Sequence, residues 1–475
     1  MSVKSGTSRT PTASSHHVRR RHAFQRDLGA AQLSLLTLGG VMGSGLFLAS
    51  GIVITRSGPA ALLAFGLGFV AMGLEIWALA EMSAQDPAPG SFLVYAQRVY
   101  GPGLVFVGGW VFWFSSVLTM SSEVTAAALF TRWWLPTVPL WVWALVYSTG
   151  IVAVNFLSVR GFGTIEAVMS GVKVGAVLAF LLFLGLVAWG PWGHHPLFAA
   201  SPALAHEHFW PTGAAGPLSS LVLVLFAYAG TGVIGLAAGE TKRPRLTIPM
   251  SLWTTLPLIL VMYMGSILAI LWVVPFHRVT TTSSPFVQVL RATGVPVVGG
   301  LMNVVLLFAV LSTMNAALYS NSRVLYSLGR SGQAPPMVAR LNRRGIPGVG
   351  ILWSAGLLLL TIILAYLLPQ RAYSYLVTAT GFQAMFIWLL VLMTHLRYRP
   401  YLERQGPLPF RLPGYPWTTY ATLAIVGLGM AAAPLAAGER VGLMAAAGFI
   451  VAMGVVYVVI RRRRPPDPPQ AQEPV

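Results

Sequence analysis

Cysteine is absent from this 475-residue chain, and charge is scarce: charged residues are 9% of it, 12 acidic against 31 basic. The first absence excludes disulfides, thiolate metal sites and cysteine nucleophiles. The second, with 56% hydrophobic residues and a mean hydropathy of +0.71, excludes a soluble globular protein of this length. Catalytic signatures are missing too. No HExxH or GxSxG pattern occurs, and Glu75, Glu123 and Glu166 fall on different apolar stretches, which argues against a membrane-embedded enzyme. The composition implies an all-α polytopic membrane protein.

Apolar segments lie near 32–55, 59–83, 100–130, 139–157, 164–189, 217–239, 249–274, 297–328, 349–368, 374–397, 417–437 and 441–460. These predict about twelve spans, each near the length of roughly 20 residues that a bilayer requires. An even number places both termini on one side. With the N-terminus cytoplasmic, the inside segments hold 24 Lys/Arg and the outside segments six, leaving Lys173 within a span. That asymmetry is the positive-inside pattern, so both termini are expected in the cytoplasm and the protein in the cell (inner) membrane.

The net charge of +19 then follows from topology and attraction to anionic lipid headgroups, without nucleic acid as a partner. The basic stretch 1–27 is too long for the n-region of a cleaved signal, so the first span is expected to be retained. The tail 461–475 ends in a proline-rich, disordered composition. His194, His195, His206 and His208 lack a carboxylate or cysteine at tight spacing and read as surface residues rather than a metal site; no cofactor is implied.

Glycines interrupt two segments. Gly39, Gly40, Gly43 and Gly45 cluster in the first; Gly230, Gly232 and Gly235 in the sixth. Glycine is unfavourable by about 1 kcal/mol in a helix interior, so each cluster predicts a helix that opens midway. In lipid the peptide groups so released must be satisfied internally or face a cavity. Paired broken helices at matching positions of two halves point to a secondary transporter with inverted repeats and a midplane site. Close packing through small residues is the alternative. A channel or sensor would not need the pair.

Six blocks carry a family resemblance across nearly the whole chain: GSGLF, AEMSAQDPAPGSFLVYAQRVYGP, SEVTAAAL, VRGFGTIEAVMSGVKV, FAYAGTGVIGLAAGETKRPRLTIP and STMNAALYSNSRVLYSLGRSGQAPPMVARLNRRGIP. In this order and spacing they resemble amino acid permeases, and more narrowly the bacterial amino acid transporter branch of the amino acid, polyamine and organocation superfamily. The resemblance implies a leucine-transporter-like fold: a ten-helix core over 28–397, made of five plus five inverted repeats (about 32–189 and 217–397), then two accessory helices over 417–460. It also implies movement of an amino acid, coupled to protons or by exchange.

An amino acid zwitterion brings two charges into a low-dielectric region, where each is costly unless paired or hydrogen-bonded. Freed N–H groups at a half-helix N-terminus, from Met42, Gly43, Ser44 and Gly45 together with the Ser44 hydroxyl, suit the carboxylate. Carbonyls around Gly40 and Val41, and from Phe226 to Ala229, suit the ammonium. Tyr228, Thr231, Ser122 and Phe226 are candidates for reading the substrate side chain, or for ordinary helix packing.

Ionisable residues within spans are expensive and functional by default; Glu75, Glu123, Glu166 and Lys173 stand out. The resemblance implies that Lys173 matches a lysine of proton-coupled members whose ammonium lies between first-span carbonyls and eighth-span hydroxyls, here Ser312 and Thr313. An ion pair of Lys173 with Glu123 or Glu166 is the structural alternative. Glu123 is the second candidate proton carrier, and Glu75 is read as a packing anchor.

One motif departs from the family pattern. Its sixth-span GTE becomes Gly230-Thr231-Gly232, and the missing acid favours neutral over cationic substrates. The stretch with Glu240, Lys242 and Arg243 resembles an inner-gate loop; its plain reading is positive-inside charge with Pro244 ending a helix.

Overall fold

The computed structural model describes residues 29–88, 91–156, 159–189, 207–230, 232–238, 241–292, 296–342, 345–368 and 371–463. The tails 1–27 and 464–475, His194, His195, His206, Thr231 and Glu240 lie outside the described residues.

Within them the chain is helical, without a β-strand. The helices are α1 (Ala30–Val41), α2 (Ser50–Ser57), α3 (Ala61–Gln85), α4 (Phe92–Tyr100), α5 (Pro102–Arg132), α6 (Leu140–Asn155), α7 (Val159–Trp189) and α8 (Ala215–Ala227). They continue with α9 (Val233–Ala237), α10 (Pro244–Val273), α11 (Pro285–Ala292), α12 (Pro296–Arg330), α13 (Gly348–Leu367), α14 (Ala372–Arg404), α15 (Trp417–Ala432) and α16 (Arg440–Arg463). Eight stretches of helix are long and apolar enough to cross a membrane; α1, α6, α8 and α13 are shorter apolar helices. Their outward faces stay apolar, as at Leu182 (64% exposed) and Val451 (65%), which suits a lipid rather than an aqueous surround.

Pro244 begins a helix instead of ending one. It occupies the first turn of α10, where its missing N–H is no loss.

Two elements lie at the centre. The α1/α2 pair is wrapped by α7, α8, α10 and α12, while α8 packs on α3, α14 and α15; α5 runs along α12 and α14. Between α1 and α2 the α-helical ladder stops at Val41 and resumes through a π-helical stretch, Gly45–Ala49. Between α8 and α9 it stops at Ala227, with Gly230 at φ +105°.

The two interruptions meet each other. A Cβ on Gly230 would overlap the Gly40 carbonyl, and one on Gly45 would overlap the backbone of Ala227. These glycines therefore serve a close backbone approach, and Gly230 also supplies a left-handed conformation that other residues adopt only with strain.

The ends of α3 and α14 are fastened by polar clusters. Glu81, fully buried, accepts from the Leu412 N–H and lies 3.1 Å from His395 Nε2 and 3.3 Å from Arg399 Nε. Beyond it, Asp86 pairs with Arg98 of α4 and accepts from the Tyr398 hydroxyl at 2.7 Å. At another point Arg56 of α2 pairs with Glu439, buried in the connection between α15 and α16.

Two outcomes follow from this packing. Gly230→Ala is expected to cost about 1–3 kcal/mol and lower the apparent melting temperature. Gly232→Ala should shift it little, because Gly232 has helical dihedrals and its Cβ would meet open space. Equal melting of the two variants would contradict the close approach. Burial also pushes the Glu439 carboxyl from 4.5 up to about 7, with the Arg56 guanidinium only partly offsetting it. The fold holds that proton more tightly than the unfolded chain does, so this contribution is complete below about pH 4.5 and is lost as pH rises through 7. Melting of the wild type should thus fall between pH 5 and pH 8 by more than that of Glu439→Gln, a differential of roughly 2–3 kcal/mol; parallel curves would refute it.

Candidate functional site

A cavity of about 120 Å³ opens where the two interrupted helices meet. Gly40, Val41, Gly43 and Gly45 line it from the first interruption, and Phe226, Ala229, Gly230, Gly232 and Val233 from the second. Helix α5 adds Ser115, Ser116, Thr119 and Glu123, α3 adds Glu75 and Leu79, and α12 adds Thr313 and Ser320. Phe112, Ile387 and Trp388 supply apolar wall. Such a site, largely apolar with a few convergent polar groups, fits a small molecule.

The peptide groups released by the first interruption have specific partners. The Ser44 N–H donates to the Glu123 carboxylate, 3.1 Å from Oε1 and 2.9 Å from Oε2, and the Ser44 hydroxyl donates to Oε1 at 3.0 Å. A protein carboxylate therefore sits where the sequence suggested that a substrate carboxylate would dock. Gly43 makes this possible, since a Cβ there would strike the Glu123 carboxylate. On the next carbonyl, Tyr373 of α14 donates to Ser44 O at 2.9 Å.

The carbonyls at the end of α1 face a cation and hydroxyls. Lys173 Nζ donates to Gly39 O at 2.7 Å, with Met42 O at 3.5 Å and Thr313 Oγ1 at 3.4 Å. Thr313 in turn lies 3.2 Å from Gly39 O and 3.0 Å from Met42 O. Lys173 is thus seated among first-span carbonyls and an eighth-span hydroxyl, and none of these hydrogen-bond partners is a carboxylate. Ser312 does not share in this. Its hydroxyl donates to Glu166 Oε1 at 2.7 Å, because Ser312 and Thr313 are adjacent on a helix and point about 100° apart.

The remaining candidates divide. Phe226 and Ala229 face the cavity. Tyr228 does not: fully buried, it donates to Phe65 O at 3.1 Å and stacks on Tyr263 with ring centroids 4.5 Å apart, so it cements α3, α8 and α10. Ser122 turns back to its own helix, donating to Thr119 O at 2.8 Å, and residues one and two turns earlier line the cavity instead. Met42 contributes its carbonyl to the Thr313 bond while its side chain is buried away from the cavity wall.

Three residues were not anticipated in these roles. The Tyr263 hydroxyl lies 2.7 Å from Ala227 O and 3.1 Å from Val41 O, bridging the carbonyl ends of both half-helices, where a substrate ammonium was expected. Tyr373 is the second. Tyr263 lies in an apolar run that reads as ordinary core, and Tyr373 lies just ahead of one. Glu75, expected as a packing anchor, lines the cavity.

Comparison with known proteins bears on this arrangement. Residues 32–462 match the amino acid permease family. The chain is 32% identical over 443 residues to an uncharacterized amino acid permease, YtnA, of Bacillus subtilis (strain 168), covering 92% of this chain and 96% of that one. It is 32% identical over 410 residues to the gamma-aminobutyric acid permease of the same organism, 85% and 87% of the two chains. To the amino-acid permease RocC, also of that organism, it is 29% identical over 453 residues, 94% and 96% of the two chains. A multi-pass helical membrane protein whose interrupted helices enclose a small cavity, matched along nearly its full length in this way, belongs to the amino acid permease family.

Proposed function

We propose that this protein is a secondary active transporter that carries an amino acid across the cytoplasmic membrane, coupled to protons and working by alternating access. The observation that carries the reading is the Ser44–Glu123 contact at the mouth of an opened helix. Ser44 N–H and its hydroxyl form a ready site for a carboxylate at a half-helix start. A substrate carboxylate arriving there competes with Glu123 for the same donors. Two carboxylates cannot share that site ionised, since like charges at close range in a low dielectric repel by several kcal/mol. Binding of the amino acid thus favours a Glu123 that has taken up a proton or swung aside, and release reverses this. That exchange links substrate occupancy to proton occupancy at one residue.

Lys173 is the second coupling element. Its ammonium holds together Gly39 and Met42 of the first helix and Thr313 of α12. Loss or gain of its proton would loosen or tighten the contact between these helices, which gives the conformational change a handle. Glu166, tied to Ser312, lies on the same helix as Lys173 and completes the link between α7 and α12.

In this reading the helices make twelve crossings. The core comprises two inverted repeats of five, about 32–189 and 217–397, with the helices at 417–460 as accessories and both tails, 1–27 and 461–475, in the cytoplasm. The positive-inside distribution and the paired interruptions support it.

Purified protein in proteoliposomes should exchange labelled for unlabelled amino acid with saturation. Lys173→Met should lower uptake driven by an inward proton gradient by at least about tenfold, the worth of a charge-assisted hydrogen bond, and flatten its dependence on pH. Unchanged uptake with unchanged pH dependence would remove Lys173 from the mechanism.

A further inference from the structure

Glu75 lies at the level of the second interruption. Two packing contacts fix its height: Gly68 of α3 abuts Val224 and Tyr228, and Leu79 abuts Gly235 of α9. Position 75 falls between them, and Glu75, Gly232 and Val233 all line the cavity. Gly232 offers no side chain, and a Cβ built there would meet open space. The space left by the absent acid of the sixth-span motif is therefore bordered by a carboxylate from a different helix.

The charged residues of the lining are acidic, with Lys173 set behind Thr313 at the first interruption. Glu75 and Glu123 both line it, and no lysine or arginine does so among the described residues. A zwitterion brings no net charge to such a wall, whereas a substrate with a second cationic group gains attraction at the end away from Ser44. Glu123 is committed to the Ser44 end by its hydrogen bonds. Glu75 stands on α3 in a wall that also holds Leu79, Phe112 and Trp388, and the low dielectric of such a wall strengthens any such attraction.

We propose that Glu75 is a specificity-determining residue, reading an ammonium or guanidinium at the distal end of the transported amino acid, with Gly232 leaving room for it. The inference rests on the transporter reading above and deepens it. It reverses the expectation of neutral substrates drawn from the missing sixth-span acid, because the carboxylate is present but comes from α3.

Competition in proteoliposomes tests this with pairs that share a carbon chain: L-ornithine against L-norvaline, and L-lysine against L-norleucine. Each is titrated against counterflow of a labelled amino acid that the wild type carries. The wild type should take the cationic member of each pair at the lower half-inhibitory concentration. Glu75→Gln should shrink that ratio by at least about tenfold. Glu75→Asp, which keeps the charge but withdraws it by one methylene, should lie between, and serves if the glutamine variant does not fold. A wild type that favours the neutral members overturns the proposal, as does a ratio unaltered in the variants. Absence of counterflow with every amino acid would instead overturn the transporter reading, and this inference with it.

Discussion

A helix that opens inside a membrane leaves peptide N–H and C=O groups with neither water nor a continuing ladder to bond them, and each group so stranded costs several kcal/mol. Much of the architecture of this permease answers that constraint. The Glu123 carboxylate takes the Ser44 N–H, Tyr373 takes the Ser44 carbonyl, Lys173 and Thr313 take the Gly39 and Met42 carbonyls, and Tyr263 serves Val41 and Ala227 together. These partners come from α5, α7, α10, α12 and α14, so the opened segment is a hub on which five helices converge. A change of partner at this hub changes how those helices sit against one another, which is what a carrier needs and a rigid scaffold does not.

The glycines follow from the same constraint. Gly43 gives Glu123 access to the backbone, and Gly40, Gly45 and Gly230 bring the two interruptions into backbone contact. The cavity is what remains where two opened helices lean together without side chains between them. Away from it, the buried Glu81 cluster and the Asp86–Arg98–Tyr398 group clamp α3 to α14. Breaking the Glu81 cluster would strand a buried charge, so it specifies position as well as holding helices together.

The sequence was most legible where chemistry is rare. Glycine clusters in apolar runs located both interruptions, and a lysine and a glutamate in such runs located Lys173 and Glu123. It was least legible where the question was which way a helix faces. Ser122 and Glu123 are neighbours pointing about 100° apart, and only one can face a given wall. Once Glu123 is known to face the cavity, the helical period points to Ser115, Ser116 and Thr119 and away from Ser122; the same argument separates Thr313 from Ser312. Tyr228, Tyr263 and Tyr373 lay beyond that reasoning, because a tyrosine in or beside an apolar run is equally at home in packing or in capping a carbonyl. Glu75 and Glu81 sit six residues apart on one helix, and nothing in their local composition separates an acid facing a cavity from one fastened to a buried histidine.

In the proposed mechanism the opened first helix, with Glu123 seated on Ser44, is the docking place of an amino acid head group. An experimentally determined structure of the protein saturated with a transported amino acid tests it most directly. Ligand density is expected between the two interruptions, its carboxylate on Ser44 and Glu123 displaced from the bonds it makes here. Density elsewhere with the Ser44–Glu123 contact intact, or a first helix that runs unbroken through residues 41–45, would contradict it.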